Sequence, residues 1–249
     1  MNKKVALIVL NTEINFDIEK YWLDPSVSIK ICADGGATRL NTYNQKNKFK
    51  RININYIFVL SLLSLITSFF YYQFVFLSIS LLLLFLNVKD NKFIKLVPDL
   101  IIGDMDSYKG FNSKVIKIED QDTTDFTKCV TYIEKHFEVD KIIVIGGFGG
   151  RFDHECANMQ TILKSQVKIV MIDKDNYICK INIGDNIFTS NGYCGLIPFT
   201  ESKVKTKGFQ WDVDQKIEFG GLISTSNNAI GNVHINLEYG LCLFWKSNT

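Results

Sequence analysis

Short apolar segments, each followed by turn-forming residues, recur through the first two thirds of the chain. Segments of this kind, rich in Val, Ile and Leu, are typical of strands buried on both faces of a parallel sheet. We therefore predict strands at residues 5–10, 28–33, 96–102, 115–118 and 141–145.

Two helical patterns accompany these strands. One begins at Thr124 and the other at Asp153, and apolar residues recur in both at the spacing of a helix with one buried face. The recurring positions are Phe126, Val130, Ile133 and Phe137 in the first helix, and Cys156, Met159 and Leu163 in the second. Because strands alternate with helices, residues 1–165 are predicted to form an α/β domain with a Rossmann-like parallel sheet.

The pattern changes after residue 165. Residues 166–249 contain short strand candidates separated by turn residues, and no stretch is periodic enough for a helix. Within the segment NVHINLE, Val233, Ile235 and Leu237 alternate with polar neighbours, as in a strand that buries one face. We predict a second domain here, a small all-β sandwich.

One long apolar stretch interrupts the first domain. Residues 52–88 contain no charged residue, and the stretch is longer than the ~20 apolar residues that span a bilayer. It also lacks Gly and Pro, which are frequent in membrane helices. NKFK ends before it and NKFIK resumes after it, so the flanking sequence reads on smoothly when residues 48–90 are removed. This arrangement favours an insertion, such as a translated intron, and the alternative is a membrane anchor.

The topology of the predicted sheet argues against the anchor. A single membrane span would place the strands before and after it on opposite sides of the membrane, yet both strands belong to one sheet. Two full helical crossings do not fit into residues 56–86. We therefore expect a cytoplasmic protein whose working form lacks this stretch, with membrane contact only if the stretch is retained.

Composition and charge argue against two kinds of function, nucleic-acid binding and a zinc site. The 249 residues carry a net charge of +2 and no basic run, which argues against a nucleic-acid partner. The six cysteines are scattered without a C-x-x-C pair, a pattern typical of free thiols in a reducing compartment rather than of a zinc site.

Candidate chemistry lies where the predicted strands end, because ligands of an open α/β sheet bind beyond the carboxyl ends of its strands. Four polar clusters follow strands: ADGGA at 33–37, GDMDS at 103–107, DQDTTDF at 120–126 and GGFGGRFDH at 146–154. Taken singly, each has a simpler explanation as a tight turn, a helix cap or a solvated charge. Together they place six aspartates on one rim of the sheet: Asp34, Asp104, Asp106, Asp122, Asp125 and Asp153. Unpaired carboxylates repel one another, so this crowding predicts a hard divalent cation such as Mg²⁺.

Glycines precede predicted helices in two of these clusters. Glycine loops at helix N-termini supply backbone N–H groups that bind phosphate. The segment GGFGG matches neither the P-loop pattern nor G-x-G-x-x-G. An acidic metal site beside such loops therefore predicts nucleotide chemistry of a less common type.

The ordered set of motifs resembles the thiamin pyrophosphokinase family. The motifs are ADGGATRL, PDLIIGDMDS, DQDTTDFTKC, GGFGGRFDH, GFQW and STSN, and the resemblance covers nearly the whole chain except residues 48–90, which the family lacks. It implies transfer of a pyrophosphoryl group from ATP to the hydroxyl of thiamin, which yields thiamin diphosphate and AMP. It also implies an α/β catalytic domain, a β domain that binds thiamin, and a homodimer with active sites at the subunit interface.

On this resemblance each matching residue has an expected role. Asp104, Asp106 and Asp125 would hold Mg²⁺, and Arg151 would stabilise charge on the phosphate oxygens, so these four form the expected catalytic set. The nucleotide would be bound by Asp34, Gly35, Gly36, Gly147, Gly149, Gly150 and Asp153. The thiamin side would be formed by Gln121, Asp122, Trp211, Ser226 and Asn227. Without the GFQW match, Trp211 would be expected in the core.

Two other function classes stay open. The apolar stretch suits a membrane-anchored nucleotide-binding protein without turnover, although such a protein has no need for the complete acidic set. A nucleotide diphosphatase or sugar-nucleotide enzyme would use the acidic site, although it has no need for Trp211 and STSN in a β domain. We expect His136, His154 and His234 to be structural or surface residues.

Overall fold

The structure is a computed structural model that describes residues 3–49, 94–107 and 110–248. The apolar stretch, on which the insertion and anchor hypotheses rest, lies outside the described residues. No helix within the described ranges is long and apolar enough to cross a membrane. The chain divides into two compact units, Met1–Leu40 with Val97–Thr249, and Asn41–Leu96.

The first half of the larger unit is a parallel sheet. Its strands are β1 (Val5–Val9), β2 (Val27–Ala33), β3 (Leu100–Gly103), β4 (Lys114–Lys117), β5 (Lys141–Ile145) and β6 (Lys168–Ile172). They pair in the order β6-β5-β1-β2-β3-β4. The five strands predicted in this region are confirmed. β3 begins later than predicted, after Pro98, whose missing N–H cannot donate to a neighbouring strand.

The second half of the unit is antiparallel. Its strands are β7 (Asn176–Lys180), β8 (Gly184–Pro198), β9 (Ser202–Lys207), β10 (Asp214–Ile217), β11 (Ser224–Tyr239) and β12 (Cys242–Ser247). They pair in the order β10-β9-β11-β8-β12-β7, and residues 166–248 contain no helix, as the sequence predicts. Strand pairing runs through both halves, because β7 pairs antiparallel with β6.

β6 belongs to the parallel half, although the sequence analysis grouped its residues with the second domain. The strand pairs parallel with β5, and Met171 within it is fully buried. A short apolar segment can be a buried strand of a parallel or of an antiparallel sheet, so its hydrophobic pattern alone does not show which strand it pairs with. The domain division between residues 165 and 166 stays a prediction.

The described ranges contain four helices: α1 (Glu19–Trp22), α2 (residues 36–49), α3 (Asp125–His136) and α4 (Phe152–Lys164). α3 confirms the first predicted helix. Thr124 caps it, since its Oγ1 accepts a hydrogen bond from the Thr127 amide. Because Thr124 occupies the cap position, helix capping does not explain the presence of Asp122 and Asp125.

α4 confirms the second predicted helix but only part of its predicted face. Cys156 is exposed, although the apolar spacing places it inside. The buried side instead includes Asn158, which donates to the Gly147 carbonyl, and Thr161, whose hydroxyl bonds to that of Thr127. Leu163 is buried and Met159 packs against the core, as predicted, so the apolar spacing is wrong only at Cys156 and misses the two buried polar residues.

β1 lies between β5 and β2, at the centre of the parallel half, and all five of its residues are buried. Ala6 and Ile8 of this strand belong to one core cluster with Val144 on β5 and Ile133 on α3. A strand in this position has no face in water, which explains its continuous apolar sequence.

Ile8→Ala should lower the free energy of unfolding by about 2–5 kcal/mol, because it leaves a cavity at a fully buried position of β1. Leu23→Ala, at a half-exposed position after α1, should change it by less than about 1 kcal/mol. Urea unfolding followed by circular dichroism measures both values. Equal losses in the two variants would contradict the central place of β1.

Candidate functional site

A cavity of about 650 Å³ opens at the carboxyl ends of the parallel strands. The residues predicted from sequence that line it are Asp34, Gly35, Asp104, Asp106, Gln121, Asp125, Gly147, Gly150 and Arg151. The predicted residues outside this lining are Gly36, Asp122, Gly149, Asp153, Trp211, Ser226 and Asn227. The structure therefore brings four of the six predicted rim aspartates and part of the glycine loop to one cavity.

Asp34 is the most enclosed carboxylate of this cavity. It follows β2 with a positive φ of 33°, and it is only 2% exposed. Its Oδ2 accepts from the Ser107 amide at 3.0 Å, whereas its buried Oδ1 has no hydrogen-bond partner among the described residues. Burial, together with the nearby Asp106 and Asp125 carboxylates, raises the pKa of Asp34 to about 6 despite the Ser107 amide.

Asp104 and Asp106 lie on a sharp turn after β3. Met105 between them has a positive φ of 72°, which turns the chain back on itself. The Asp106 amide donates to Asp104 Oδ1 at 3.3 Å, and the Ser107 hydroxyl donates to Asp106 Oδ1 at 2.6 Å. As a result, one carboxylate oxygen from each of Asp34, Asp104 and Asp106 lies within 4.8 Å of the other two.

Asp125 stands beside this group at the start of α3. Its Oδ1 accepts from Nζ of the buried Lys128 at 3.0 Å. Gly103 leaves room for the acids, because a Cβ there would lie 2.7 Å from Asp34 Cβ and 3.0 Å from Asp125 Oδ1. The sequence analysis groups Asp125 with Asp104 and Asp106. In the structure, Asp34 is the third member of the compact group and Asp125 is its neighbour.

The compact group fits a hard divalent cation. Such ions prefer carboxylate oxygens, and Asp34 offers a buried oxygen that has no hydrogen-bond partner among the described residues. The side chains of Asp34 and Asp125 occupy the space that a side chain on residue 103 would fill, so glycine there lets the carboxylates approach one another. A cation here would favour the ionised form of Asp34 and so oppose the burial that raises its pKa.

Two of the glycines expected to bind nucleotide have a packing reason of their own. A Cβ on Gly36 would lie 2.1 Å from the Val9 carbonyl oxygen, and a Cβ on Gly147 would lie 2.1 Å from Met171 Sδ. Close packing against the β1 backbone therefore requires glycine at position 36, whatever the cavity binds, and a Cβ at position 147 would force the buried Met171 side chain to shift. Their roles toward a nucleotide stay predictions.

Acidic residues in the first turn of α4 hold the loop that precedes it. Arg151 Nε donates to Asp153 Oδ1 at 3.1 Å, and both side chains are exposed. The amides of Gly149 and Gly150 donate to Glu155 Oε1 at 2.7 and 3.3 Å. Two N–H groups that the sequence analysis reserves for phosphate are therefore bonded within the chain.

Sequence reasoning missed several residues of the lining, among them Asn11, Thr12, Arg39, Ser107, Lys128, Glu155 and Asn158. Lys128 had a usable signal, because its three-residue spacing from Asp125 places both on one helix face. Arg39, whose Nε donates to Asn11 Oδ1 at 2.9 Å, lies one turn into α2 from the glycine pair. His154 is exposed, as expected, and also lines the cavity.

Trp211 is 58% exposed and therefore does not lie in the core, where a tryptophan would be expected if the GFQW match were ignored. An exposed side chain agrees with the position that the motif resemblance implies. The buried Asn227 side chain accepts from the Trp211 amide at 3.1 Å and donates to the Trp211 carbonyl at 2.8 Å. It also bonds to the Asn228 amide and the Ser224 hydroxyl. Ser226 before it has a positive φ of 56°. Asn227 therefore fixes the backbone that carries the exposed indole.

Two family models match the chain. One, described as the catalytic domain of thiamin pyrophosphokinase, matches residues 18–172. The other, described as the vitamin B1 binding domain of thiamin pyrophosphokinase, matches residues 180–242. The first model alone spans more than half of the chain, and together the two follow the order of the parallel and antiparallel halves.

Curated relatives carry the same name. Thiamine pyrophosphokinase 1 of Arabidopsis thaliana is 30% identical in a match that covers 97% of this chain and 85% of the plant protein. Thiamine pyrophosphokinase of Saccharomyces cerevisiae is 24% identical, with 91% of this chain and 80% of the yeast protein covered. Both matches extend across the two halves of the fold.

Solved structures show the same fold. The match to thiamin pyrophosphokinase from Candida albicans has a TM-score of 0.69 at 18% identity and covers 99% of this chain and 90% of that one. The match to yeast thiamin pyrophosphokinase has a TM-score of 0.69 at 22% identity and covers 99% and 87%. On the two family models and the full-length plant relative, the chain belongs to the thiamin pyrophosphokinase family.

Proposed function

We propose that this protein transfers a pyrophosphoryl group from ATP to the hydroxyl of thiamin. The thiamin oxygen forms a bond to the β-phosphorus, the bond from that phosphorus to the AMP oxygen breaks, and the hydroxyl proton is released. The observation that carries the proposal is the joint lining of one cavity by the Asp34, Asp104 and Asp106 carboxylates and by the cationic Arg39 and Lys128. Polyphosphate chemistry needs both kinds of group together.

Asp104 and Asp106 would hold Mg²⁺, with Asp34 and Asp125 as the nearest further carboxylates. A bound Mg²⁺ supplies charge neutralisation on the phosphate oxygens. Lys128, buried beside Asp125, presents a fixed positive charge to the same cavity. Phosphoryl transfer has a loose transition state, so these residues would contribute mainly by positioning and charge.

Arg151 and the loop before α4 would face the phosphates from the other side. Arg151 lines the cavity and is bonded to Asp153, so Asp153, expected as a nucleotide-binding residue, would act on the nucleotide through Arg151. Gly35, Gly147 and Gly150 also line the cavity. Gly36 and Gly149 would belong to the same nucleotide site, where they shape the two glycine turns.

Trp211 would stack on a ring of thiamin, because an exposed aromatic face attracts a cation such as the thiazolium. Ser226 lies next to Asn227 on β11 and would contact the pyrimidine. Gln121 lines the cavity, and Asp122 lies next to it on the loop before α3, so both would face thiamin or the phosphate chain.

We also propose the finer arrangement that the motifs imply. The α/β half is a Rossmann-like domain over residues 1–165 together with β6, which pairs parallel with β5, and the rest of the chain up to residue 249 forms a β sandwich. The protein acts in the cytoplasm as a homodimer with its active sites at the subunit interface. Trp211 is exposed and does not line the acidic cavity of its own subunit. This supports an active site in which Trp211 of one subunit completes the acidic cavity of the other.

Incubation of the purified full-length protein with thiamin, ATP and Mg²⁺ should yield thiamin diphosphate and AMP in equal amounts. Chromatography with ultraviolet and thiochrome detection measures both products. Formation of ADP and thiamin monophosphate would reject pyrophosphoryl transfer. Nucleotide binding without any product would favour the alternative of a nucleotide-binding protein without turnover.

Asp104→Asn and Asp106→Asn should each lower kcat by about 100-fold or more, because each removes a ligand charge beside the transferred group. Asp175→Asn, at an exposed aspartate paired with Lys174, is the matched control and should retain full activity. Steady-state rates over a Mg²⁺ titration measure the effect. Near-normal rates of the two site variants at saturating Mg²⁺ would show that these carboxylates only form the turn.

Trp211→Ala should raise the KM for thiamin by about 5- to 30-fold and leave the KM for ATP within twofold, since a cation–π contact contributes about 1–2 kcal/mol. Asn227→Ala should have a similar effect with the indole still present, because it removes both bonds to the Trp211 backbone. Phe219→Ala, at another exposed aromatic, is the control. A joint rise of both KM values would reject a specific thiamin contact.

A further inference from the structure

Glu155 is a residue of the cavity lining to which neither the motifs nor the family resemblance assigns a role. It lies in the first turn of α4, and a single carboxylate oxygen, Oε1, accepts from the amides of Gly149 and Gly150 at 2.7 and 3.3 Å. Hydrogen bonds from backbone N–H to a carboxylate are roughly twice as strong as neutral ones. The glycine loop therefore already holds an anion, and that anion is part of the chain.

The loop depends on this anchor. Gly149 has a positive φ of 77°, and glycine loses more conformational freedom on ordering than any other residue. Gly147 is tied separately, by the Asn158 side chain. Arg151, at the cap position of α4, makes no capping hydrogen bond with its side chain. The amides of Gly149 and Gly150, which lie between Gly147 and Arg151, are therefore held by the Glu155 carboxylate.

Displacement of Glu155 by a phosphate would be unfavourable. The freed carboxylate would stay in a cavity that already contains the carboxylates of Asp34, Asp104, Asp106 and Asp125. It would lose two charge-assisted hydrogen bonds and remain beside like charges, and both changes are unfavourable for an ionised carboxylate. The arrangement is therefore more stable with Glu155 on the loop than with Glu155 released.

We propose that Glu155 is a positioning residue of the nucleotide site and the resident anion of the glycine loop. It keeps the backbone of Gly149 and Gly150 closed on α4 and thereby sets the direction from which Arg151 enters the cavity. The phosphates of ATP are then bound by cationic side chains and the metal, and not by these two amides. This inference rests on the proposed function for the identity of the nucleotide.

The test compares Glu155→Gln, Glu155→Ala and the control Glu138→Ala, an exposed glutamate after α3, in the full-length protein. The dissociation constant of Mg·ATP is measured by titration calorimetry, and the KM values and kcat by product formation. We expect the Mg·ATP constants to rise on the order of tenfold in Glu155→Ala and about threefold in Glu155→Gln, which retains an acceptor oxygen. The KM for thiamin and the control should not change.

Two results would overturn the proposal. Tighter Mg·ATP binding in Glu155→Ala would show that phosphate competes with the carboxylate for the amides. Unchanged nucleotide affinity with a lower Tm in both variants would show a structural role only. If Glu155→Ala does not fold, Glu155→Gln decides between the same outcomes. Calorimetry reports on Glu155 even if no thiamin diphosphate forms, so failure of the proposed reaction is a separate result.

Discussion

The buried carboxylate of Asp34 is the constraint around which the site is arranged. Its Oδ1 has no partner in the described part of the chain, and four further carboxylates line the same cavity. Burial without compensation is unfavourable for a charged group, and the pKa of about 6 expresses that cost. Three surrounding features hold the carboxylates close in spite of their repulsion: the left-handed conformation of Met105, the missing side chain at Gly103 and the Ser107 amide.

The parallel sheet makes this concentration of charge possible. Because β1, β2, β3 and β5 run in one direction, the residues that follow them meet at one edge, although they are far apart in sequence. The turns must also approach the strands closely, and glycine at positions 36 and 147 allows contact with Val9 and Met171. Close backbone packing and the acidic cluster are therefore two consequences of the same topology.

Sequence reasoning found what local patterns encode. Strand and helix positions follow from apolar spacing, and the acidic rim follows from the rule for strand ends, so the sequence predicts the aspartates of the cavity. Contacts set by tertiary packing were not found. The inward position of Asn158 in place of Cys156 depends on which face of α4 meets the cavity, and the bonds of Glu155 depend on how a loop folds back. Apolar periodicity contains neither fact.

The charges of the cavity also determine the form in which a nucleotide can enter. Asp34, Asp104, Asp106, Asp125 and Glu155 face three cationic side chains, those of Arg39, Lys128 and Arg151. Two of these cations are engaged, since Lys128 is bonded to Asp125 and Arg151 to Asp153. A free polyphosphate would therefore meet a net negative surface, and Coulomb repulsion is strong in a partly enclosed site. A polyphosphate that carries its own divalent cation would be attracted instead, because the compact carboxylate group would hold the metal and the lysine and arginines would attract the phosphate oxygens. On the proposed function, the acidic cluster thus selects the metal complex of ATP over the free nucleotide.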